Sequence, residues 1–241
     1  MKLFDWFGVG SLLACGMATV GHRFGFLNFR IAFLLFVLAM LVCSLVFIVG
    51  VFKLVFAIAR KQSLFSGQLP LTLACGLIPA LAFSGVGAGA LKAPMIHDIT
   101  TDMVTPPAFV FIQPEDGYRI NSLVYPGEEV SAVQREAYPD ITTFFTSKTP
   151  RKVFQASLFS ASLMGWEIIA QDLASFRFEA VAKTPLFGFT DDIAVRITAS
   201  ADGATAVDVR SMSRVGISDL GTNARRIREF FSQLQVALEE N

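Results

Sequence analysis

The densest run of hydrogen-bonding side chains in the chain is Arg210–Ile227, RSMSRVGISDLGTNARRI, with four Arg and three Ser in eighteen residues. Its residue types suit two chemistries. The first is anion binding. Arginines beside a helix start, where the first N–H groups lack intrahelical partners, form a receptor for a carboxylate, a phosphate or a lipid headgroup. The candidate binding residues are Arg210, Arg214, Ser218, Asp219, Asn223 and Arg226, joined by the cluster His97, Asp98 and Asp102. The competing reading pairs these arginines with Asp192, Asp208 and Asp219 in a structural network.

The second chemistry is hydrolysis. Its nucleophile would be Ser211, Ser213 or Ser218, with His97 as base beside Asp98 or Asp102. His97 is the one histidine after residue 94. The stretch Gly216-Ile-Ser218-Asp-Leu-Gly221 is one residue too long for a nucleophile elbow, so Ser218 or Asp219 capping a helix is the favoured reading. No catalytic residue, cofactor loop or HExxH pattern is assigned. All three cysteines (Cys15, Cys43, Cys75) precede residue 94, and a lone histidine makes a poor transition-metal site, so no metal is assigned.

These residues need elements to hold them. Thr149-Pro150 opens a helix that stops at Gly165. Trp166–Ala170, Phe176–Ala182, Asp192–Thr198 and Ala206–Met212 read as strands, the last three with a clean period of two. Asp202-Gly203 marks a hairpin that sets Arg196 opposite Asp208. Asp191 and Asp192 point to opposite faces, which argues against a paired-carboxylate site. Leu220, Ala224, Ile227, Phe231, Leu234 and Leu238 form the apolar stripe of a last helix. The sum is an α+β domain, residues 95–241: a two-layer antiparallel sheet with two helices. Ahead of it, 93–147 shows no helical period and at most two short strands, Phe109–Ile112 and Ile120–Val124. A stretch that long either wraps the domain or lines a site.

Residues 1–94 carry seven Lys/Arg and one acid, whereas 95–241 carry thirteen and nineteen. The first part is apolar. It reads as a membrane region of about three spans, near 5–21, 31–58 and 69–91, since a bilayer core takes roughly 20 apolar residues in helix. Pro79 predicts a kink in the last of these. Gly85-Val-Gly87-Ala-Gly89 lacks a preceding strand and reads as helix packing, not a nucleotide loop. Leu12-Leu-Ala-Cys15 resembles a lipoprotein box, but its preceding apolar stretch is short and Asp5 stands where basic residues belong. The positive residues of the two sides tie. The basic pair Arg60-Lys61 and the acidic, cysteine-free second part favour the N-terminus inside and the domain outside. The expected partners are the bilayer and an anionic ligand or partner protein; the balance of charge excludes nucleic acid.

HDITTD (97–102), QREAYPDI (134–141), MGW (164–166), FGFTDD (187–192) and RSMSRVGISDLGTNARRI (210–227) together resemble the domain-of-unknown-function family 1499. That resemblance covers about 93–238. It implies a bacterial or plastid protein with the domain behind membrane-spanning segments, and it brings no catalytic residue. The expectation is a multi-pass inner-membrane protein with a periplasmic ligand- or partner-binding domain. The alternatives are a membrane-anchored hydrolase working from His97 and an accessory subunit of a membrane complex.

Overall fold

The computed structural model describes residues 2–61, 72–77, 92–185, 187–200 and 203–239. They fall into two compact units, Met1–Ala88 with Pro185–Gly188, and Gly89–Thr184 with Phe189–Asn241.

The first unit contains α1 (Lys2–Arg23) and α2 (Phe29–Ala59). Asn28 starts α2 by accepting the Ile31 N–H at 3.0 Å, which satisfies one of the orphan donors of the first turn. The helices meet through small side chains: Ala18, Ala32, Ala39, Cys43 and Val46 are buried, and a Cβ on Gly8 would lie 3.0 Å from Val46. Large apolar residues such as Phe33, Leu41, Leu45 and Phe52 stay exposed, as suits lipid contact. Among the described residues α2 is the one helix long and apolar enough to cross a membrane. This corrects the expectation of about three spans. The first, 5–21, lies within α1, which carries Asp5 and several glycines and does not reach that standard. The third, 69–91, lies outside the described residues apart from a short helix at 72–77, and Gly85–Gly89 lies outside them altogether. Cys15 sits buried within α1.

The second unit is built on a six-stranded antiparallel sheet in the order β1-β6-β5-β4-β3, with β2 also pairing β6. The strands are β1 (Asp98–Thr100), β2 (Phe144–Thr146), β3 (Glu167–Asp172), β4 (Arg177–Lys183), β5 (Thr190–Ala199) and β6 (Thr205–Ser213). Its helices are α3 (Glu128–Ala137), α4 (Pro150–Leu163) and α5 (Thr222–Glu239). Gly165 ends α4 at φ +70°, the left-handed geometry expected of it. Phe178, Ala180, Ile193, Val195, Val207 and Val209 pack one face of the sheet against Phe154 of α4 and Ile227, Phe230 and Leu234 of α5. The Trp166 and Phe230 rings stack at 5.0 Å.

Several expectations change here. The α5 stripe centres on Phe230, fully buried, whereas Phe231 lies at its margin and stacks on Phe144. Leu220 precedes the helix and is exposed. Phe109–Ile112 and Ile120–Val124 are not strands; β1, β2 and α3 occupy the region read as featureless. The two-layer expectation also fails on one point. The central part of the polar face of the sheet, around Glu179, Asp192, Asp208 and Arg210, is shielded from water, because 101–127 lies across it as a third, irregular layer.

Ser157 of α4 is fully buried and its hydroxyl has no hydrogen-bond partner. Ser157→Ala removes an unsatisfied polar group and improves helix propensity. It should stabilise the full-length protein by about 1 kcal/mol in a thermal melt; a lower melting temperature would show that the hydroxyl has a partner.

Candidate functional site

The alternation of β6 decides where the candidate residues go. Asp208, Arg210 and Met212 point to the wrapped face; Val207, Val209, Ser211 and Ser213 point to the helices. The register places Asp98 opposite Met212, Asp192 opposite Met212 on the other side, and Arg196 opposite Asp208. The run that is continuous in sequence is thus divided by the sheet into two networks.

On the wrapped face, Arg210 grips Asp98 through Nε at 3.0 Å and Nη2 at 2.7 Å. The same guanidinium donates to the Leu123 carbonyl at 2.9 Å. Phe109 and Tyr125 flank it, with ring centroids 4.8 and 5.3 Å away. Arg214 follows immediately after the strand, holds Asp192 through Nε and Nη2 at 2.9 and 2.7 Å, and also donates to the Asp116 carbonyl. Arg196 bridges Asp102 and Asp208, each at 2.9 Å, and Thr101 and Thr143 donate to Asp208. Glu179 of β4 is 0 % exposed and accepts three consecutive backbone N–H groups, of Val110, Phe111 and Ile112, at 2.5, 3.0 and 2.7 Å. Charged residues of the sheet thus satisfy the backbone of a segment that has no secondary structure of its own.

Arg119 departs from this pattern. Its side chain is 6 % exposed and its Nη1 reaches Asp192 at 2.7 Å. Its Nε and Nη2 are buried and make no hydrogen bond. One carboxylate, Asp192, therefore serves two guanidiniums. Sequence reasoning missed Arg119, because Gly117-Tyr-Arg119-Ile-Asn121 has no period and no motif to mark it.

On the helix face, Arg226 pairs with Asp191 at 2.5 Å and also donates to Ser211 Oγ and to Asn223 Oδ1. Ser211 donates to Asn223, and Asn223 donates to Ser213 Oγ and to the His97 carbonyl. Asp219 caps α5, accepting the N–H groups of Gly221 and Asn223 at 2.8 and 2.7 Å. Ser218 donates to the Pro94 carbonyl at 3.0 Å. Arg210, Arg214, Asp98 and Asp102 therefore stand on one side of the sheet, and Ser218, Asp219, Asn223 and Arg226 at its other side or rim. The three arginines each have an internal carboxylate. The hydroxyls of Ser211, Ser213 and Ser218 are engaged as described, and none pairs with the His97 ring; His97 contributes its carbonyl, accepting from Ser213 N and Asn223. Among the described residues no group of three or more His, Cys, Asp or Glu could hold a metal ion.

Burial pushes the carboxyls of Asp98, Asp191 and Asp219 above the ordinary carboxylate value, against the pull of Arg210, of Arg226 and of the cap N–H groups respectively. A raised folded value means the fold takes up a proton before the unfolded chain does, so falling pH costs no stability through these groups. Asp140 is the opposite case. The bidentate hydrogen bond from Arg228, at 2.5 and 2.8 Å, holds its carboxyl low. Its contribution is present above the unfolded value of about 3.9 and is lost as pH falls through the depressed folded value. Both side chains are about half exposed, so Asp140→Asn should cost at most about 1 kcal/mol at pH 7. That difference should begin to shrink at about pH 4 and vanish only once the pH is below the depressed folded value; a cost that persists there would mean the side chain acts by packing.

A comparison with curated proteins finds no match. Among solved structures, the crystal structure of Ara h 8.0201 is similar at 14 % identity, with 40 % of this chain and 97 % of that chain covered and a TM-score of 0.29. A likeness that weak carries no argument. The family model DUF1499, described as a protein of unknown function, matches residues 98–234. The match bears out the resemblance read from the motifs and takes in the sheet, the wrapping segment and about the first three-quarters of α5. It spans more than half of the sequence, and the chain belongs to the DUF1499 family.

Proposed function

We propose that this protein is a membrane-anchored binding module, not an enzyme, and that its domain accepts an anionic group of a ligand or partner at Arg119. The observation that carries the reading is the pair of unused donors on a buried guanidinium. A buried N–H without an acceptor costs free energy that an incoming carboxylate or phosphate oxygen would recover. The overlying turn at 113–118 is exposed, so such a group has a short route in. The other charged side chains of the interior are bound to one another or to backbone amides, which suits a rigid scaffold better than acid–base chemistry.

The anchor is α2, and we place the chain in a bacterial inner membrane, crossing more than once, with the domain in the periplasm. Differential scanning fluorimetry of the full-length protein in detergent tests the site. Inorganic phosphate or a short dicarboxylate should raise the melting temperature with rising concentration, and Arg119→Met should abolish the rise. No rise with either anion, or an equal rise in the variant, overturns the reading. A fluorophosphonate probe tests the catalytic alternative: labelling that His97→Ala removes would establish an enzyme. Location is tested with Ser175→Cys on the β3–β4 turn. A membrane-impermeant maleimide should label it in intact cells with a permeabilised outer membrane, and labelling only after full lysis would put the domain inside.

A further inference from the structure

Arg119 leaves two particular donors unused, and which two they are narrows what it can hold. Its Nη1 donates to Asp192 Oδ2 at 2.7 Å, while Nε and Nη2 are buried and make no hydrogen bond. Nε–H and Nη2–H lie along one edge of the planar guanidinium and point the same way, spaced to match the two oxygens of a carboxylate. Elsewhere the protein uses that edge on carboxylates. Arg210 holds the two oxygens of Asp98 with it at 3.0 and 2.7 Å, and Arg228 holds those of Asp140 at 2.5 and 2.8 Å. The backbone beside Arg119 is fixed, since the N–H groups of Ile120 and Asn121 both donate to the Arg214 carbonyl, at 2.9 and 3.0 Å. Asn121 Nδ2 adds bonds to the carbonyls of Ser213 and Gly216. The fork is thus held in place before any ligand arrives, which lowers the cost of binding.

We propose that the anion taken by Arg119 is a carboxylate, gripped by both oxygens on the Nε/Nη2 edge. The inference rests on the reading above that Arg119 is the binding group, and it adds the class of ligand. Two counts favour a carboxylate over a phosphate. The first is charge. Asp192, 0 % exposed, answers both Arg119 and Arg214, which leaves this pair of guanidiniums one positive charge in excess. One carboxylate balances it, whereas a phosphate dianion would bring a buried negative charge without a partner. The acids already in the chain are engaged elsewhere: Glu179 gives both oxygens to the backbone N–H groups of Val110, Phe111 and Ile112, and the exposed Asp116 accepts from the Gln113 N–H. The second count is of donors. Arg214 has Nε and Nη2 on Asp192 and Nη1 on the Asp116 carbonyl, so every one of its nitrogens has an acceptor. The two donors of the Arg119 edge match two oxygens. Further oxygens of a phosphate would lose water there and gain no bond.

The test is a set of thermal melts of the full-length protein in detergent near neutral pH, with each anion balanced against sodium chloride. Acetate is planar and singly charged, dimethyl phosphate is tetrahedral and singly charged, and inorganic phosphate carries more than one charge. Acetate should raise the melting temperature, and should do so at roughly tenfold lower concentration than either phosphate. Arg119→Met should remove the acetate effect. Arg119→Lys should remove it too, because the ammonium keeps the charge but lacks the planar fork. Both variants leave Asp192 paired with Arg214, and their melts without added anion check that they fold; the comparison of anions on the parent stands by itself. A phosphate effect equal to or above that of acetate, and removed by Arg119→Met, overturns the inference and leaves Arg119 as the anion site. An acetate effect that survives Arg119→Lys overturns the two-point grip. No response to any of the three anions overturns the site itself. N-acetylglutamate amide reads the source of the carboxylate: a response at or above that of acetate assigns it to an acidic side chain of a protein, and a weaker one to a small organic acid, and both outcomes uphold the carboxylate.

Discussion

Arg210→Ala should destabilise the domain by about 3–5 kcal/mol, because it strands the Asp98 carboxylate without its counter-charge in a dry interior. Asp98 is 1 % exposed and both its oxygens are taken by Arg210. The same substitution removes the donor to the Leu123 carbonyl and the cation between Phe109 and Tyr125. The damage should appear first in the wrapping layer. In hydrogen exchange on the full-length protein, the amides of 101–127 should lose protection before those of β4 and β5. A double variant, Asp98→Leu with Arg210→Met, replaces the pair by apolar groups of similar volume and should recover most of the loss. If Arg210→Ala melts within about 1 kcal/mol of the parent, the ion pair does not hold the wrap.

Glu179→Ala should have a comparable effect by another route. It deletes no partner charge but leaves three consecutive backbone N–H groups, of Val110, Phe111 and Ile112, without acceptors. An unsatisfied buried donor costs about 1–3 kcal/mol, so a loss on the order of 3 kcal/mol or more is expected, less whatever water can restore. Glu179→Gln keeps one acceptor oxygen and should fall between the two. The measurement is a denaturant melt together with exchange rates at these three amides. Unchanged protection in Glu179→Ala would show that the nest is held from elsewhere.

The helix-covered half of the domain was legible because its physics is periodic. β4, β5, β6 and α4 were readable to within a residue or two, and alternation correctly set Arg196 across from Asp208 and turned Asp191 and Asp192 to opposite faces. The same alternation misled on the other face. Charged residues on an alternating strand usually face solvent, but Glu179, Asp192 and Asp208 do not. They are buried because their partners come from segments remote in sequence: Val110 is 69 residues from Glu179, and Asp98 is 112 from Arg210. No local pattern encodes that. The candidate site failed to cohere for a related reason. Arg210 and Arg226 are neighbours in sequence, but the plane of the sheet stands between their networks. Arg119 carries no sequence signal, since its burial and its unused donors follow from where an aperiodic loop happens to lie. Leu220 was drawn into the α5 stripe by its spacing, whereas the Asp219 cap starts the helix after it.

The charged fastening of the wrapping layer bears on how the chain emerges from the ribosome. The segment after Asp98 is made early, but Arg210 follows 112 residues later. At roughly 5–20 residues per second the segment waits on the order of 10 s for the strand that will hold it. An apolar wrapping layer would spend that interval as a sticky, aggregation-prone stretch beside a membrane. Apart from the apolar run Ala108–Ile112, the groups that fasten this segment are backbone amides, carbonyls and carboxylates, which water solvates well in that interval. It is fastened in steps, as β4 brings Glu179, β5 brings Asp192 and Arg196, and β6 brings Asp208 and Arg210 last. The final strand thus completes the closure, and chains truncated before Arg210 should leave the early segment more accessible to protease than the full chain does.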